Sequence, residues 1–330
     1  MNENSVRKVV VTWSAWKVRF LAAAEQRDRS DIRFIVEDEH DVLLRELADA
    51  EAAVAGPWDK EMLQSGVRLQ WVQAMSGGVE GLLFPEFVES PALLTCLKPI
   101  FGAPGAEHAL AAMLMFTRRF HRNVAPSPMT QHDNGYDEQF QPVDLDGRTV
   151  GILGLGSMGR TLAEKASCLG MRVLALTRTS RSVPDCVEQS FQPGDLSGLV
   201  ACCDFVVVAV PVTAQTRGMI DDSVLRCMKS DGVLIDCSGR PSLFDYHALE
   251  RAIMEGWIAG VCLQPGGASP DQYIPARDAA FWQRENVVVS PCRGTSAETE
   301  RKALDLFFDN LDRFESGQPL LGLVDKQAGY

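Results

Sequence analysis

Three glycines, Gly154, Gly156 and Gly159, stand at the spacing G-x-G-x-x-G, and their type and spacing point directly to chemistry. Glycines so placed allow a tight turn, leave room for a pyrophosphate against the backbone, and let a helix pack closely on a strand. A helix beginning at Ser157 and Met158 would direct its first N–H groups and its positive dipole end toward the phosphates. The spacing therefore predicts a turn that binds a dinucleotide.

The residues that follow the next strand bear on which dinucleotide is bound. In an NAD site an acidic residue, about 20 residues after the first glycine, accepts a hydrogen bond from the ribose 2′-hydroxyl. The matching position is Thr177, and Arg178, Thr179 and Arg181 follow it. There is no carboxylate to repel a 2′-phosphate, and arginine suits phosphate. We expect NADP(H) to be preferred, with NAD(H) as the alternative if these charges are only solvated.

The glycines need a strand before them and a helix after them, and the sequence supplies both. Thr149–Leu153 is a short apolar run rich in β-branched residues, typical of a buried parallel strand. Apolar residues recur at helical spacing over 158–169, and Gly170 stands where a helix C-cap belongs. Arg172–Leu176 is predicted as the next strand. This βαβ pattern favours a nucleotide site over the alternative, an isolated glycine-rich turn.

Further strands and helices are predicted on both sides of this unit. The strand candidates before it are Lys8–Trp13, Ile32–Val36, Ala52–Ala55, Leu69–Met75 and Leu93–Leu97, and those after it are Asp204–Ala209, Val233–Asp236, Ile258–Leu263 and Val287–Val289. Pro104–Arg122 is predicted as a long helix, and Asn123–Asp146 as a connecting arm. The final helix is predicted to begin with a capping box formed by Thr295 and Glu298.

Length, charge and cysteine usage narrow the class of protein. The 330 residues, 46% of them hydrophobic, suffice for two domains, and a net charge of -12 argues against nucleic acid or an anionic membrane as partner. No apolar run approaches membrane-spanning length, and the first residues lack the layout of a secretory signal. Nine scattered cysteines show no metal-ligand spacing and favour a reducing compartment, so we expect a cytoplasmic protein without a metal site.

The order of motifs resembles the D-isomer-specific 2-hydroxyacid dehydrogenases, in particular their glyoxylate/hydroxypyruvate reductase-like branch. The resemblance rests on WVQAMSGGVEGLL (71–83), FGAPGAEHALAAML (101–114), GRTVGILGLGSMG (147–159), VPVTAQTRGMI (210–220), RPSLFDYHAL (240–249) and LVDKQAGY (323–330). It implies an α/β fold with two Rossmann-like domains. One is a flavodoxin-like substrate-binding domain formed by residues 1–103 and 296–330, and the other is an NAD(P)-binding doubly wound parallel sheet over 104–295. It also implies a homodimer.

The resemblance further implies hydride transfer between a nicotinamide and the C2 atom of a small 2-hydroxy or 2-oxo acid. An arginine binds the carboxylate and carbonyl of the substrate, a histidine transfers the proton, and a glutamate orients the histidine. Arg240 matches the arginine, although Pro241 follows it and one additional residue separates it from the preceding strand. Cys292 stands in place of the histidine and Ser269 in place of the glutamate.

The remaining site residues follow from the same resemblance. Pro211, Thr216 and Ser238 fall along the path from adenosine to nicotinamide, and Gln264 replaces the aspartate that binds the carboxamide. The backbone at Gly77 and Gly78 is expected to bind the substrate.

Three functions remain open from the sequence. The first is an NADP-dependent 2-hydroxyacid dehydrogenase, or 2-oxo acid reductase, whose activity is weakened or altered by the replaced histidine and glutamate. The second is different chemistry on the same scaffold, using Cys292, and the third is a non-catalytic NADP(H)-binding sensor or partner-binding protein. We expect the first.

Overall fold

The computed structural model describes residues 7–12, 16–56, 58–123, 142–178, 183–264, 266, 272–290 and 296–330. The chain divides into two compact units, which we name for their places in the sequence. The terminal unit comprises Met1–Phe101 and Thr295–Tyr330, and the middle unit comprises Gly102–Gly294.

Each unit contains one sheet with helices. The strands are β1 (Arg7–Val11), β2 (Ile32–Val36), β3 (Ala52–Ala55), β4 (Trp71–Ala74), β5 (Leu93–Thr95), β6 (Thr149–Leu153), β7 (Arg172–Leu176), β8 (Gln189–Phe191), β9 (Phe205–Val208), β10 (Val233–Asp236), β11 (Gly260–Leu263) and β12 (Val287–Val289). The α-helices are α1 (Lys17–Gln26), α2 (His40–Leu47), α3 (Lys60–Ser65), α4 (Pro85–Glu89), α5 (Gly102–Thr117), α6 (Phe120–Asn123), α7 (Ser157–Cys168), α8 (Leu196–Ala201), α9 (Asp222–Cys227), α10 (Tyr246–Met254) and α11 (Ala297–Glu315).

The terminal unit contains a five-stranded parallel sheet in the order β2-β1-β3-β4-β5. This is the flavodoxin-like order, as predicted. Helix α11 closes one face of the sheet, where the Phe307 ring stacks on Trp71 with a centroid distance of 5.6 Å. Buried polar groups join the helix to the sheet, because Asn310 Nδ2 donates to Gln73 Oε1 at 3.2 Å. The last helix in sequence is therefore part of the core of the first sheet.

The middle unit contains a seven-stranded parallel sheet in the order β12-β11-β10-β9-β6-β7-β8. Strands β6, β9, β10 and β11 are buried along their whole length, which explains their continuous apolar sequences. The strand order reverses between β6 and β9, and in open α/β sheets ligands bind at such a switch point, beyond the carboxyl ends of the strands. The predicted fold class, two doubly wound α/β units, is confirmed.

Three local predictions need correction. The long helix begins at Gly102 rather than Pro104 and ends at Thr117, where Arg119 takes a positive φ of 58° before the short α6. The final helix begins at Ala297 and is capped by Ser296, whose Oγ accepts from Thr299 N at 3.1 Å, so the capping box on Thr295 is wrong. The edge strand β8 was not predicted, because its residues are polar and mostly exposed.

Candidate active site

The glycine turn lies directly beyond the carboxyl end of β6. Gly154 takes a φ of 105°, and an added Cβ would lie 3.0 Å from Ala209 O, just after β9. A Cβ on Gly159 would lie 2.0 Å from Gly154 O, so helix α7 packs directly on the turn. A Cβ on Gly156, in contrast, would meet no atom of the described residues within 4 Å. Two of the glycines are therefore required by packing, whereas Gly156 borders open space.

That open space fits the pyrophosphate of a dinucleotide. Helix α7 begins at Ser157, with Gly156 as its N-cap, and a glycine has no side chain to cap the first N–H groups. The first turn of α7, which includes Met158, contains no acidic residue. A helix N-terminus with exposed backbone donors and positive dipole character attracts an anion. The cradle has the shape and the polarity that a dinucleotide requires.

The carboxyl end of β7 lies beside this turn, because Gly154 N donates to Leu176 O at 3.0 Å. Thr177 follows, half-buried, and its N–H donates to Phe191 O in β8 at 2.9 Å. Arg178 is exposed to solvent. Positions 177 and 178 are thus adjacent to the glycine turn, where a ribose selector is expected. Thr179 and Arg181 lie outside the described residues.

The loop after β9 brings Pro211 and Thr216 together. Thr216 Oγ1 donates to Pro211 O at 2.7 Å and accepts from Thr213 N at 2.8 Å. A single hydroxyl therefore closes the loop by joining its start to its end. Pro211 lies near the glycine turn because it follows β9, which pairs with β6 in the sheet.

Beyond β10 the chain forms a tight turn that leads to Arg240. Ser238 N and Ser238 Oγ both approach Asp236 Oδ1, at 2.7 and 2.5 Å, and Arg240 N donates to Ser238 Oγ at 3.1 Å. Gly239 takes a φ of 61° in the middle of the turn. The half-buried Arg240 directs Nη1 to Gly239 O at 3.3 Å. The additional residue between strand and arginine is accommodated by this turn.

Gln264, after β11, packs on the same turn. A Cβ on Gly239 would lie 2.9 Å from Gln264 Nε2, and a Cβ on Gly266 would lie 1.9 Å from Gly239 O. The structure thus brings Ser238 and Gln264 together at the carboxyl ends of β10 and β11. All the described candidates for cofactor binding follow strands at one edge of the middle sheet.

Asp236 is a buried carboxyl group that was not among the candidates predicted from the sequence. Its side chain is 1% exposed, and burial raises its pKa to about 6, although hydrogen bonds from Ser238 oppose that rise. Burial, together with the charge of Asp236, also raises the pKa of Tyr246 on α10. The signal in the sequence was an acidic residue at the end of the apolar run VLID, just before the predicted site.

Gly77 and Gly78 lie in the terminal unit, in the loop after β4. Ser76 Oγ donates to Gly78 O at 2.5 Å, and Leu97 N donates to Ser76 O at 2.9 Å. A Cβ on Gly77 would lie 3.1 Å from the Phe101 ring, so this position also has little room for a side chain. The loop is held by its own serine and by the segment that follows β5. Binding of substrate at this loop stays a prediction.

Cys292 and Ser269 lie outside the described residues, as does His132. Three of the other four histidines have local partners. His247 stacks on Tyr273 at 3.6 Å, His121 packs on Phe116 at 4.6 Å, and His40 contacts Asp59 at 2.8 Å. The fifth histidine, His108 on α5, is half-buried, and burial lowers its pKa.

The two sheets and the glycine turn define a dinucleotide-binding α/β protein of the Rossmann class. Residues 110–294 match the NAD binding domain of the D-isomer specific 2-hydroxyacid dehydrogenases. This match spans more than half of the chain, which therefore belongs to the D-isomer specific 2-hydroxyacid dehydrogenase family.

Known proteins of similar sequence and structure agree with this assignment. A glyoxylate reductase from Thermococcus onnurineus is 29% identical over 314 residues, covering 88% of this chain and 89% of that protein. The crystal structure of a D-isomer specific 2-hydroxyacid dehydrogenase family protein from Klebsiella pneumoniae 342 is 27% identical, with a TM-score of 0.78, and the match covers 99% of this chain and 100% of that one. An NADPH-dependent glyoxylate/hydroxypyruvate reductase from Sinorhizobium meliloti, crystallised with NADP and sulfate, shares the fold at 22% identity, with a TM-score of 0.81 and coverage of 98% and 100%.

The chain is accordingly an NAD(P)-dependent oxidoreductase that acts on the CH–OH group of a small 2-hydroxy acid or reduces a 2-oxo acid. No helix in the described part of the chain combines the length and the apolar character needed to cross a membrane.

Proposed function

We propose that this protein is an NADP(H)-preferring reductase of a small 2-oxo acid such as glyoxylate or hydroxypyruvate. The observation that carries the proposal is the carboxyl side of the middle sheet, where the glycine turn follows β6 and the turn bearing Arg240 follows β10. These two parallel strands lie on either side of β9. The glyoxylate reductases among its relatives support this substrate class.

The preference for NADP(H) is supported by the residues that follow β7. Thr177 stands beside the glycine turn where an NAD-specific protein has an acidic residue, and the exposed Arg178 follows it. A carboxylate at this position would repel a 2′-phosphate, whereas a guanidinium binds one through charge-assisted hydrogen bonds. Thr179 and Arg181 extend the same polar segment in the sequence.

Arg240 is proposed as the residue that binds the 2-oxo acid. When bound, the nicotinamide supplies the hydride. Arrival of a hydride at a carbonyl carbon builds negative charge on the carbonyl oxygen, and a guanidinium offers that charge a positive hydrogen-bond donor. The planar fork of the same group suits a carboxylate, so one side chain can orient the acid and stabilise the alkoxide.

The site lacks the usual side chains for protonating that oxygen. Cys292 and Ser269 stand where the family resemblance implies a histidine and a glutamate. A thiol, with an ordinary pKa of about 8.5, transfers a proton near neutral pH less readily than an imidazole does. Because positioned acid–base catalysis contributes about 10²–10⁴-fold, we propose that turnover is slow and that water supplies the proton.

Two further features complete the proposal. Leu114 and Phe120 on the long helix and its continuation are 41% and 58% exposed, which supports burial of this face in a homodimer. Cys168, Cys202 and Cys227 are exposed free thiols, which supports a reducing, cytoplasmic location. Light scattering in solution tests the dimer, and a monomer at micromolar concentration would contradict it.

The decisive experiment measures NADPH oxidation against a panel of 2-oxo acids and aldehydes, with nucleotide binding followed by calorimetry. We expect tighter binding of NADPH than of NADH, and a loss of that difference in Arg178→Ala.

We expect Arg240→Met to abolish turnover, and Cys292→His combined with Ser269→Glu to raise kcat by roughly tenfold or more. Nucleotide binding without turnover in wild-type and restored protein alike would contradict the reductase and favour a sensor.

A further inference from the structure

The carboxylate of Asp236 holds together the segments that meet beyond β10 and β11. Its Oδ1 atom accepts from both the backbone N–H and the hydroxyl of Ser238, at 2.7 and 2.5 Å. The backbone N–H groups of Gly239 and Gln264 also face the carboxylate. One buried acceptor therefore fixes its own turn and the start of the neighbouring loop.

The hydrogen bonds continue from Asp236 to the arginine. Ser238 Oγ donates to Asp236 Oδ1 and accepts from Arg240 N. The hydroxyl group thus connects the two residues by hydrogen bonds. Cys237 N donates to Val208 O in β9, and Gly239 is closely packed, so every residue between Asp236 and Arg240 is held by a hydrogen bond or by packing. The direction in which the arginine leaves the backbone depends on the carboxylate at the start of the turn.

The turn has little room to relax if these bonds are lost. Gly239 is in the left-handed region, and Gly266 lies so close that a Cβ there would be 1.9 Å from Gly239 O. The Oδ2 atom of Asp236 is buried and has no hydrogen-bond partner among the described residues. A buried carboxylate that leaves one oxygen unsatisfied lowers the stability of the folded state.

We infer that Asp236, acting through Ser238, is a positioning residue that aims Arg240 at the carboxylate and carbonyl of the 2-oxo acid. This inference rests on the proposed function, because it takes Arg240 as the residue that binds the substrate. Asp236 is buried and does not itself touch the acid. Its loss should therefore weaken binding and turnover of the acid without removing the charge of Arg240.

The chain offers a matched control for the pair formed by Asp236 and Ser238. Asp221 Oδ1 accepts from Ser223 Oγ at 2.7 Å and from Val224 N at 3.0 Å, at the start of α9 in the same unit. The chemistry of this aspartate–serine pair is the same, but it holds a helix start and leads to no site residue. Asp221→Ala should lower stability while leaving the site intact.

The test compares Asp236→Ala, Asp236→Asn, Ser238→Ala and Asp221→Ala in the full-length protein. For each variant, kcat and KM for glyoxylate are measured at saturating NADPH, and calorimetry gives the affinity of the NADPH complex for oxalate. Asp236→Ala should raise KM and the oxalate dissociation constant and lower kcat/KM by roughly 10–100-fold, since a misplaced binding group has effects of that size. Asp236→Asn retains the oxygen that accepts from Ser238 and should stay within about threefold of wild type, because no hydrogen bond to Ser238 is lost.

Arg240→Met separates the two ways in which this test can fail. If Arg240→Met weakens oxalate binding but Asp236→Ala and Ser238→Ala behave like Asp221→Ala, the positioning role is wrong and the proposed function stands. If Arg240→Met leaves oxalate binding unchanged, or if the wild-type complex binds no oxalate, the role of Arg240 fails and the inference fails with it. Should Asp236→Ala not fold, Ser238→Ala decides the outcome, because it breaks only the relay to Arg240.

Discussion

At the scale of single residues, two glycines of one turn serve different purposes. Gly159 is fixed by the protein, because an added Cβ would lie 2.0 Å from Gly154 O. Gly156 has ordinary extended dihedral angles, with φ of -71° and ψ of -167°, and in the described part of the chain an added Cβ would meet nothing within 4 Å. The described residues thus leave room for a side chain at Gly156, and we propose that the need for glycine there comes from the ligand.

We therefore expect Gly156→Val to fold normally and to lose nucleotide binding, because the valine would occupy the place of the pyrophosphate. Gly159→Val should instead lower the free energy of unfolding sharply, since backbone must move to relieve the clash. Calorimetry with NADPH and thermal unfolding followed by circular dichroism distinguish the two variants. Retained NADPH affinity in a folded Gly156→Val protein would show that the nucleotide binds elsewhere.

Two carboxyl groups of the middle unit, the buried Asp236 and the partly buried Asp204, should give stability opposite dependences on pH. Burial raises the pKa of Asp236 to about 6, above its ordinary value of 3.8. Burial also acts on Asp204, but Thr149 N, 2.7 Å from the carboxylate, and the Lys229 ammonium bring the net pKa below 3.8. A raised pKa means that the folded state binds the proton more tightly, so the stability due to Asp236 is lost as pH rises.

Relative to Asp236→Asn, the wild-type protein should lose on the order of 3 kcal/mol of stability between about pH 4 and pH 6.5. Relative to Asp204→Asn, the wild-type protein should instead lose stability as pH falls below about 4, because the depressed pKa favours the charged form. Urea denaturation of the three proteins across this range measures both differences. Parallel pH curves for wild type and Asp236→Asn would show that Asp236 does not titrate in this window.

At the scale of secondary-structure elements, the short helix α4 is held at its two ends by two different lysines. Lys60 Nζ contacts Glu86 in the first turn at 2.5 Å, and both side chains are about half exposed. Lys326, from the C-terminal segment, donates to the carbonyls of Phe87, Ser90 and Ala92 at 3.0, 2.6 and 2.9 Å. Burial lowers the pKa of Lys326. Its ammonium group satisfies backbone carbonyls at the C-terminal end of the helix and just beyond it.

Lys326→Met should consequently destabilise the protein by about 1–3 kcal/mol, because it leaves partly buried carbonyls without donors. Lys60→Met is the matched control and should change stability by less than about 1 kcal/mol, as expected for an exposed ion pair. Chemical denaturation of both variants gives the comparison. Equal effects of the two substitutions would mean that the C-terminal segment does not hold α4.

The elements also show what the sequence could predict. Short runs rich in apolar and β-branched residues predict strands, so β2, β3, β6, β7, β10 and β12 were predicted with their observed bounds. The edge strand β8 lacks such a run because its side chains are mostly exposed, and Arg119 breaks the long helix at a residue type that gives no turn signal. Local patterns thus indicate an apolar strand even at an edge, as for β2 and β12, but not the polar edge strand β8.

The candidate site also contains some residues that the sequence predicts and others that it does not. The glycine turn and Thr177 were predicted because ligand geometry dictates their spacing, and that spacing is local in sequence. Asp236 was not predicted, because a carboxylate at the end of a strand has no meaning until the turn folds back on it. The packing of Gln264 on Gly239 joins two loops that are distant in sequence, so only the folded chain reveals it.

At the scale of the whole molecule, the chain contains two units with separate cores. The terminal unit depends on α11, which returns from the far end of the chain to bury Phe307 against Trp71 and Phe20. The middle unit has its own core, which includes the fully buried Phe281. The described candidates for cofactor binding all belong to the middle unit, whereas Gly77 and Gly78 belong to the terminal unit.

Because the cores are separate, we expect thermal unfolding to show two transitions rather than one. Phe307→Ala should shift only the transition of the terminal unit and Phe281→Ala only that of the middle unit, each by about 3–5 kcal/mol. NADPH at 100 times its dissociation constant should stabilise the middle unit by about 2.7 kcal/mol. NADPH should therefore offset much of the effect of Phe281→Ala, and it should leave the transition lowered by Phe307→Ala in place. Calorimetric scans of both variants with and without NADPH measure this, and a single transition moved equally by either substitution would show that the two units unfold as one.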